Sequence, residues 1–265
     1  MKILCVSDQI DPLIYNQNAK KHFPDIDLIL CAGDLPMDYV DFIESVFNKP
    51  TYFVFGNHDL SEFKYYHSTR AETIAAVSTA AEQTQVYGGV CLLDGHGRGA
   101  IYAGFKTAVS RKFSVVDKKT GKSTPLLITG VSGSRRYNNG LCQYTESQMM
   151  RKLLFMVPKL LLNKLRYGRF TDIFLTHATP RHIHDHEDPC HVGFECFNWF
   201  LKTFSPSYMV HGHIHLYDQR EERSGKYFNT HVVNAYAHCI IDFPLPESTK
   251  NQQTDKNGRP NAAGN

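Results

Sequence analysis

The chain has 265 residues, 29 Lys and Arg against 26 Asp and Glu for a net charge of +3, and 42% hydrophobic residues. This fits one large globular domain, or at most two small ones, and excludes wholesale disorder and a fibrous chain. No run of about 18 uninterrupted apolar residues is present, so no membrane-spanning helix is expected.

The N-terminus runs at once into Lys2–Ser7, an apolar stretch too short for a signal peptide and without its small-residue cleavage site. It reads as a strand ending in Asp8. Asp27–Ala32 reads as a second, ending in Gly33-Asp34, and Thr51–Phe55 as a third, ending in Gly56-Asn57-His58-Asp59. Between the last two, Met37–Phe47 has the helical spacing of Val40, Ile43 and Phe47. Near-continuous apolar strands alternating with helices predict a buried parallel sheet, whose functional groups lie at strand ends. Val86–Leu93, Ala100–Phe105 and Leu126–Val131 read as further strands. Residues 145–168 predict a long helix, with Thr145 and Gln148 as a capping box, Gly168 as its stop and Pro158 as a kink. Its leucines read as core or dimer contacts ahead of a membrane-surface face. Asp172–Thr176 is a strand leading to His177. Glu195–Phe204 is a helix, and Tyr208–Val210 a strand leading into His211-Gly212-His213. His231–Ala235 is a last strand. Residues 1–246 form the expected domain, and the polar stretch 247–265 is expected to be a disordered tail.

Charge is uneven. Residues 98–169 hold 15 Lys and Arg and only Asp117 and Glu146 as acids, a pattern that steers anionic partners or forms a solvated basic face. The seven cysteines are scattered, odd in number and lack any C-x-x-C pair, which points to reduced thiols in a cytoplasmic protein. Eight of the 14 histidines lie between His177 and His215. Histidine is the commonest metal ligand and the natural proton carrier near neutral pH.

Five strand ends therefore deliver oxygen or nitrogen donors: Asp8, Asp34, Asn57-His58-Asp59, His177, and His213 with His215. Each alone also suits a cap or a turn. Together they match a pair of divalent ions, which needs a bridging carboxylate within a mixed shell of carboxylate, amide and imidazole. Asp34 suits the bridge and Asn57 a neutral carbonyl ligand. Gly212 permits the turn that lets His213 and His215 converge.

G-D at 33–34, G-N-H-D at 56–59, T-H at 176–177 and G-H-I-H at 212–215, in this order after a strand ending in Asp8, resemble the calcineurin-like metallophosphoesterases. The motifs span residues 1–216. The resemblance implies an α/β fold, a four-layer αββα sandwich of two mixed β-sheets flanked by helices. It implies a hydrolase cleaving a phosphate mono- or diester with a metal-bound hydroxide at a dinuclear site of two divalent ions, Mn, Fe or Zn. Carried over, Asp8, Asp34 and His215 would hold the first ion, and Asp34, Asn57, His177 and His213 the second. His58 would support the leaving group or the phosphoryl charge, and Asp59 would orient His58. One position departs from the family pattern. Its first motif is usually D-x-H, and here Ile10 stands in place of the His, leaving Gln9, Asp11 or water to fill that position.

Arg135 and Arg136, after Gly133-Ser134, read as a bidentate phosphate contact or as a solvated turn. The histidine-rich segment 181–193 reads as a substrate-facing rim ahead of a third metal site. The rival to the enzyme is a non-catalytic interaction scaffold on the same fold. A small phosphate ester is the expected partner, with nucleic acid the less favoured alternative and a homo-oligomer left open. No P-loop, G-x-S-x-G or Cys/His nucleophile pattern is present.

Overall fold

The computed structural model describes residues 1–58, 60, 63–67, 99–116, 121–218 and 221–244. Strands β1 (Lys2–Ser7), β2 (Ile26–Cys31), β3 (Thr51–Phe53), β4 (Ala100–Tyr102) and β13 (Ala237–Asp242) form one sheet, in the order β13-β1-β2-β3-β4. Strands β5 (Lys106–Val116), β6 (Ser123–Val131), β9 (Ile173–Thr176), β10 (Tyr208–His211), β11 (Ser224–Tyr227) and β12 (Thr230–Asn234) form the second, in the order β11-β12-β10-β9-β6-β5. A short ribbon pairs β7 (Ser134–Arg135) with β8 (Gln143–Tyr144). Both large sheets have a parallel centre. Antiparallel strands close them: β13 beside β1, β5 beside β6, and β11 beside β12.

The alternation of side chains across each pleat builds the layers. Ile3, Cys5, Leu28, Leu30, Tyr52 and Val54 face the second sheet and pack with Leu126, Ile128, Ile173, Leu175 and Val210. Their neighbours Leu4, Val6, Ile29, Cys31, Phe53 and Phe55 face outward, against Ile14, Ala19, Met37, Val40, Ile43 and Phe47. The last four belong to α2 (Met37–Phe47), which follows the short α1 (Ala19–His22). A further short helix, α3 (Phe63–His67), follows β3. On the far side, Val131, Phe174, Met209 and Val232 meet α4 (Glu146–Tyr167) and α5 (Glu195–Phe204) through Met149, Leu153, Leu160, Phe197 and Phe200. Two hydrophobic sheet faces thus share one core, and each outer face is covered by helices: the expected four-layer sandwich.

Helix α4 starts on its capping box. The Gln148 N–H donates to Thr145 Oγ1 at 3.3 Å, and the Thr145 N–H donates to Gln148 Oε1 at 2.9 Å. Gly168 ends it in the left-handed conformation, φ 80°. The helix runs through Pro158 on its exposed face. Its leucines divide. Leu153 and Leu160 are core, whereas Leu154, Leu161, Leu162 and Leu165 are exposed, so of the expected core or dimer contacts the core part holds for Leu153 and Leu160. The strands expected at 51–55 and 100–105 are shorter, ending at Phe53 and Tyr102. The strand expected at Val86–Leu93, the Asp59 position and the tail 247–265 lie outside the described residues. Among the described residues, no helix is long and apolar enough to cross a membrane.

Candidate metal centre

The donors come from the ends of both sheets. Asp8 follows β1, Asp34 follows β2, and Asn57 follows β3. His177 follows β9, and His213 and His215 follow β10. The chain turns sharply as it leaves three of these strands. Asp8, Asp34 and His213 all sit in the left-handed region, at φ 63°, 52° and 70°. Such non-glycine residues are costly and need support from their surroundings.

Asp34, His177 and His213 each offer one donor atom, and these atoms lie within 4.8 Å of one another, all on buried residues. His177 is fully buried. Its Nδ1–H donates to the Ala32 carbonyl at 2.8 Å, which leaves Nε2 facing Asn57 Oδ1 at 3.1 Å and Asp34 Oδ2 at 3.3 Å. His213 Nε2–H donates to the Cys190 carbonyl at 2.7 Å, which leaves Nδ1 as its free donor. Each ring therefore spends one nitrogen on a carbonyl, the outer contact that orients a metal-ligating histidine. The Asn57 amide is held from behind, with Nδ2 donating to the Tyr137 hydroxyl at 3.2 Å. One carboxylate, one amide oxygen and two imidazole nitrogens suit a divalent transition metal.

Electrostatics match that donor set. Burial alone would lower the His177 ring, but the Asp34 carboxylate beside it raises it to about 9. Burial would raise the Asp34 carboxyl, but His177 and the His58 N–H at 2.7 Å hold it well below the usual carboxylate range. Burial, reinforced by His177, pushes His213 down to about 3. A proton between His177 and Asp34 sits where a cation would neutralise the same acceptors.

Beside this group lies a second. Asp8 accepts the His213 N–H at 3.0 and 2.9 Å and also accepts from the Ser7 hydroxyl. His215 Nε2 is 3.7 Å from Asp8 Oδ1. The contact with Asp8, opposed by burial, raises the His215 pKa. The ring stacks on Tyr236 with centroids 4.9 Å apart, and its Nδ1 bonds the Tyr217 hydroxyl at 2.6 Å.

Two glycines explain the crowding. A Cβ on Gly56 would meet the Asp34 carboxylate and lie 2.6 Å from the His177 ring. One on Gly212 would meet Ser7 Oγ and lie 2.5 Å from Asp8 Oδ2. The glycines of G-N-H-D and G-H-I-H leave the space that the donor side chains fill.

Among the other expected residues, His58 keeps an exposed side chain beside this cluster, with its backbone N–H on Asp34. Asp11 is engaged elsewhere: its Oδ2 pairs with His238 Nδ1 at 2.5 Å and its Oδ1 accepts the Leu13 N–H. Gln9 and Ile10 are exposed. Arg135 donates to Glu146 and to the Gly193 carbonyl, at 3.3 and 3.2 Å, which ties the 134–137 segment to the 181–193 loop. Arg136 is exposed and donates to the Gln143 carbonyl at 3.4 Å. The loop 181–193 reaches the centre through Cys190, and the His191 ring lies 5.3 Å from that of His213. His184 leaves it for His211, at 2.9 Å. Among the described residues, Asp34, His177 and His213 are the group spaced for a metal, and the loop forms no third one. Tyr137 and the carbonyls of Ala32 and Cys190 were invisible in the sequence reading. A carbonyl is common to every residue, and Tyr137 lies 80 positions from Asn57.

The model of the calcineurin-like phosphoesterase family matches residues 1–217. A solved crystal structure 16% identical in sequence aligns over 91% of this chain and 94% of its own, with a TM-score of 0.53, a likeness of fold alone. No curated protein sequence matches.

Proposed function

Starting from a chain that belongs to the calcineurin-like phosphoesterases, hydrolases acting on phosphate esters, we propose that this centre holds two divalent ions and hydrolyses a small phosphate mono- or diester. The observation that carries the reading is the convergence of one donor atom each of Asp34, His177 and His213 to within 4.8 Å, each histidine ring turned by a carbonyl bond. In this assignment Asp34 would be shared by both ions. Asn57, His177 and His213 would hold one ion with it, and Asp8 and His215 would hold the other. When bound, divalent ions supply Lewis acidity to phosphoryl oxygens and a water nucleophile ionised near neutral pH. The protein's own residues do the rest. The Tyr137 hydroxyl keeps the Asn57 oxygen pointed inward. His58, exposed beside Asp34, donates a proton to the leaving oxygen. Ser7 and the His213 N–H hold the Asp8 carboxylate in place. Manganese, iron and zinc all suit the mixed nitrogen and oxygen shell.

Hydrolysis of an aryl phosphate mono- and diester with added manganese tests the reading, together with elemental analysis. Asp34→Asn is expected to abolish turnover and lower the content of both ions. His58→Ala is expected to keep the metals and lose roughly 10²–10⁴-fold in rate, the range for a general acid. Wild-type protein that takes up no metal refutes the proposal. Loss of metal in His58→Ala refutes the role given to His58.

A further inference from the structure

Helix α4 presents a face that the catalytic reading leaves unused. Phe155 and Leu165 are 84% and 85% exposed, and Leu154, Leu161 and Leu162 are about half exposed. The positions 154, 161 and 165, with 155 and 162 beside them, form one outward stripe at helical spacing, opposite the buried Met149, Leu153 and Leu160. Around the stripe lie Arg151, Lys159, Lys164 and Arg166, all exposed, and the half-buried Lys152. The helix has a single acid, Glu146, which is turned inward to Arg135 and to the Cys196 N–H. A groove of about 520 Å³ runs along the same helix against β5, lined by Phe105, Lys106, Lys152, Phe155 and Lys159.

From this juxtaposition we infer that the outward face of α4 and its groove dock the protein on an anionic phospholipid surface. The exposed Leu and Phe side chains enter the boundary between headgroups and acyl chains. The surrounding Lys and Arg meet lipid phosphates, and the groove takes a headgroup between Lys106, Lys152 and Lys159. Apolar stripe and basic flank on one helix are the combination that holds a helix in the membrane interface. Charge decides against a second copy as the occupant, because two-fold pairing would set this basic face against itself. A nucleic acid would be met by the lysines but has no use for four exposed leucines and a phenylalanine on the outermost ridge.

The inference is independent of the phosphoesterase reading, and its test uses the full chain without substrate. Sedimentation with phosphatidylcholine vesicles, with and without about one-third phosphatidylserine, is expected to pull down the protein only with the anionic vesicles. Raising salt to about 1 M, where the screening length falls to about 3 Å, is expected to weaken the binding. Phe155→Ser with Leu165→Ser is expected to reduce partitioning at least tenfold, since each side chain loses its burial in lipid. Lys159→Gln with Arg166→Gln is expected to reduce it about thirtyfold, at roughly fivefold for each lost cation. All four positions are solvent-exposed, and circular dichroism of each variant checks that the fold is kept. Absence of binding to anionic vesicles overturns the inference. So does an unchanged affinity in the Phe155/Leu165 variant, or light scattering that shows a dimer dispersed by that variant.

Discussion

His177 carries the pH behaviour of the centre. Its raised pKa, about 9, means that the ring holds a proton at neutral pH when no cation is present, shared with the buried Asp34 carboxylate. A metal must displace that proton from Nε2. His213, pushed down to about 3, is already neutral and releases none. Binding to this site is therefore expected to strengthen as pH rises, by about tenfold per unit up to pH 9, with about one proton released per ion. Titration calorimetry in two buffers of different ionisation enthalpy, between pH 6.5 and 8.5, measures both quantities. A dissociation constant flat over that range contradicts the assignment of His177 as a ligand. Asp11 shows the opposite lesson at the same scale. Near Asp8 in sequence, it looks able to fill the position left by Ile10, yet both of its oxygens are engaged, one by His238 on a distant strand.

Elements place these residues through crowded strand ends. The loops after β2 and β3 lie so close that Gly56 has room for a hydrogen and no more, with the Asp34 carboxylate and the His177 ring on either side. Gly56→Ala is expected to push Asp34 out of line and cost at least about 10²-fold in turnover, the scale of a displacement near 1 Å at a reacting centre. Far-ultraviolet circular dichroism is expected to stay unchanged, because the collision is with donor side chains and leaves the sheet ladders intact. Turnover and metal content equal to wild type would show that this contact does not position the donors. The 181–193 loop acts as a strap in the same sense: Cys190 turns the His213 ring, and Gly193 is held by Arg135.

At the scale of the whole molecule, the candidate ligands span the interface between the sheets. Asp8, Asp34 and Asn57 come from one sheet and His177, His213 and His215 from the other, above the shared core of Leu28, Leu30, Ile128 and Leu175. A cation held there would add a further link between two layers that already meet through side-chain packing and through hydrogen bonds such as His177 Nδ1–H to the Ala32 carbonyl and Gly133 N–H to the Phe55 carbonyl. At 100 times its dissociation constant it adds about 2.7 kcal/mol of stability. For a domain of this size that corresponds to a rise in Tm of about 5–10 °C. Thermal unfolding of chelator-treated protein, with and without added manganese, measures it, and Asp34→Asn is expected to abolish the shift. Equal melting temperatures for wild type in the two conditions would contradict a metal held between the sheets.

The amino-acid order alone carried the alternation of strands and helices in the first sixty residues, the bounds of Met37–Phe47 and Glu195–Phe204, and the capped ends of α4. These depend on local periodicity and on caps a few residues away. It also carried the candidate donors, because rare residue types at strand ends leave a mark in a linear chain. Tertiary structure decided everything that depends on contact between distant segments. The closing strand β13 exists through a pairing partner far along the chain, with Cys5 opposite Cys239, whereas β5 and β11 pair with their sequence neighbours β6 and β12. The free nitrogen of each histidine is chosen by a carbonyl, Ala32 for His177 and Cys190 for His213, that is 145 and 23 residues away. The division of the α4 leucines into core and surface follows from which side of the helix meets the second sheet. A side chain's own chemistry is written in its sequence position, but its partners, and hence its burial and charge state, come from the fold that surrounds it.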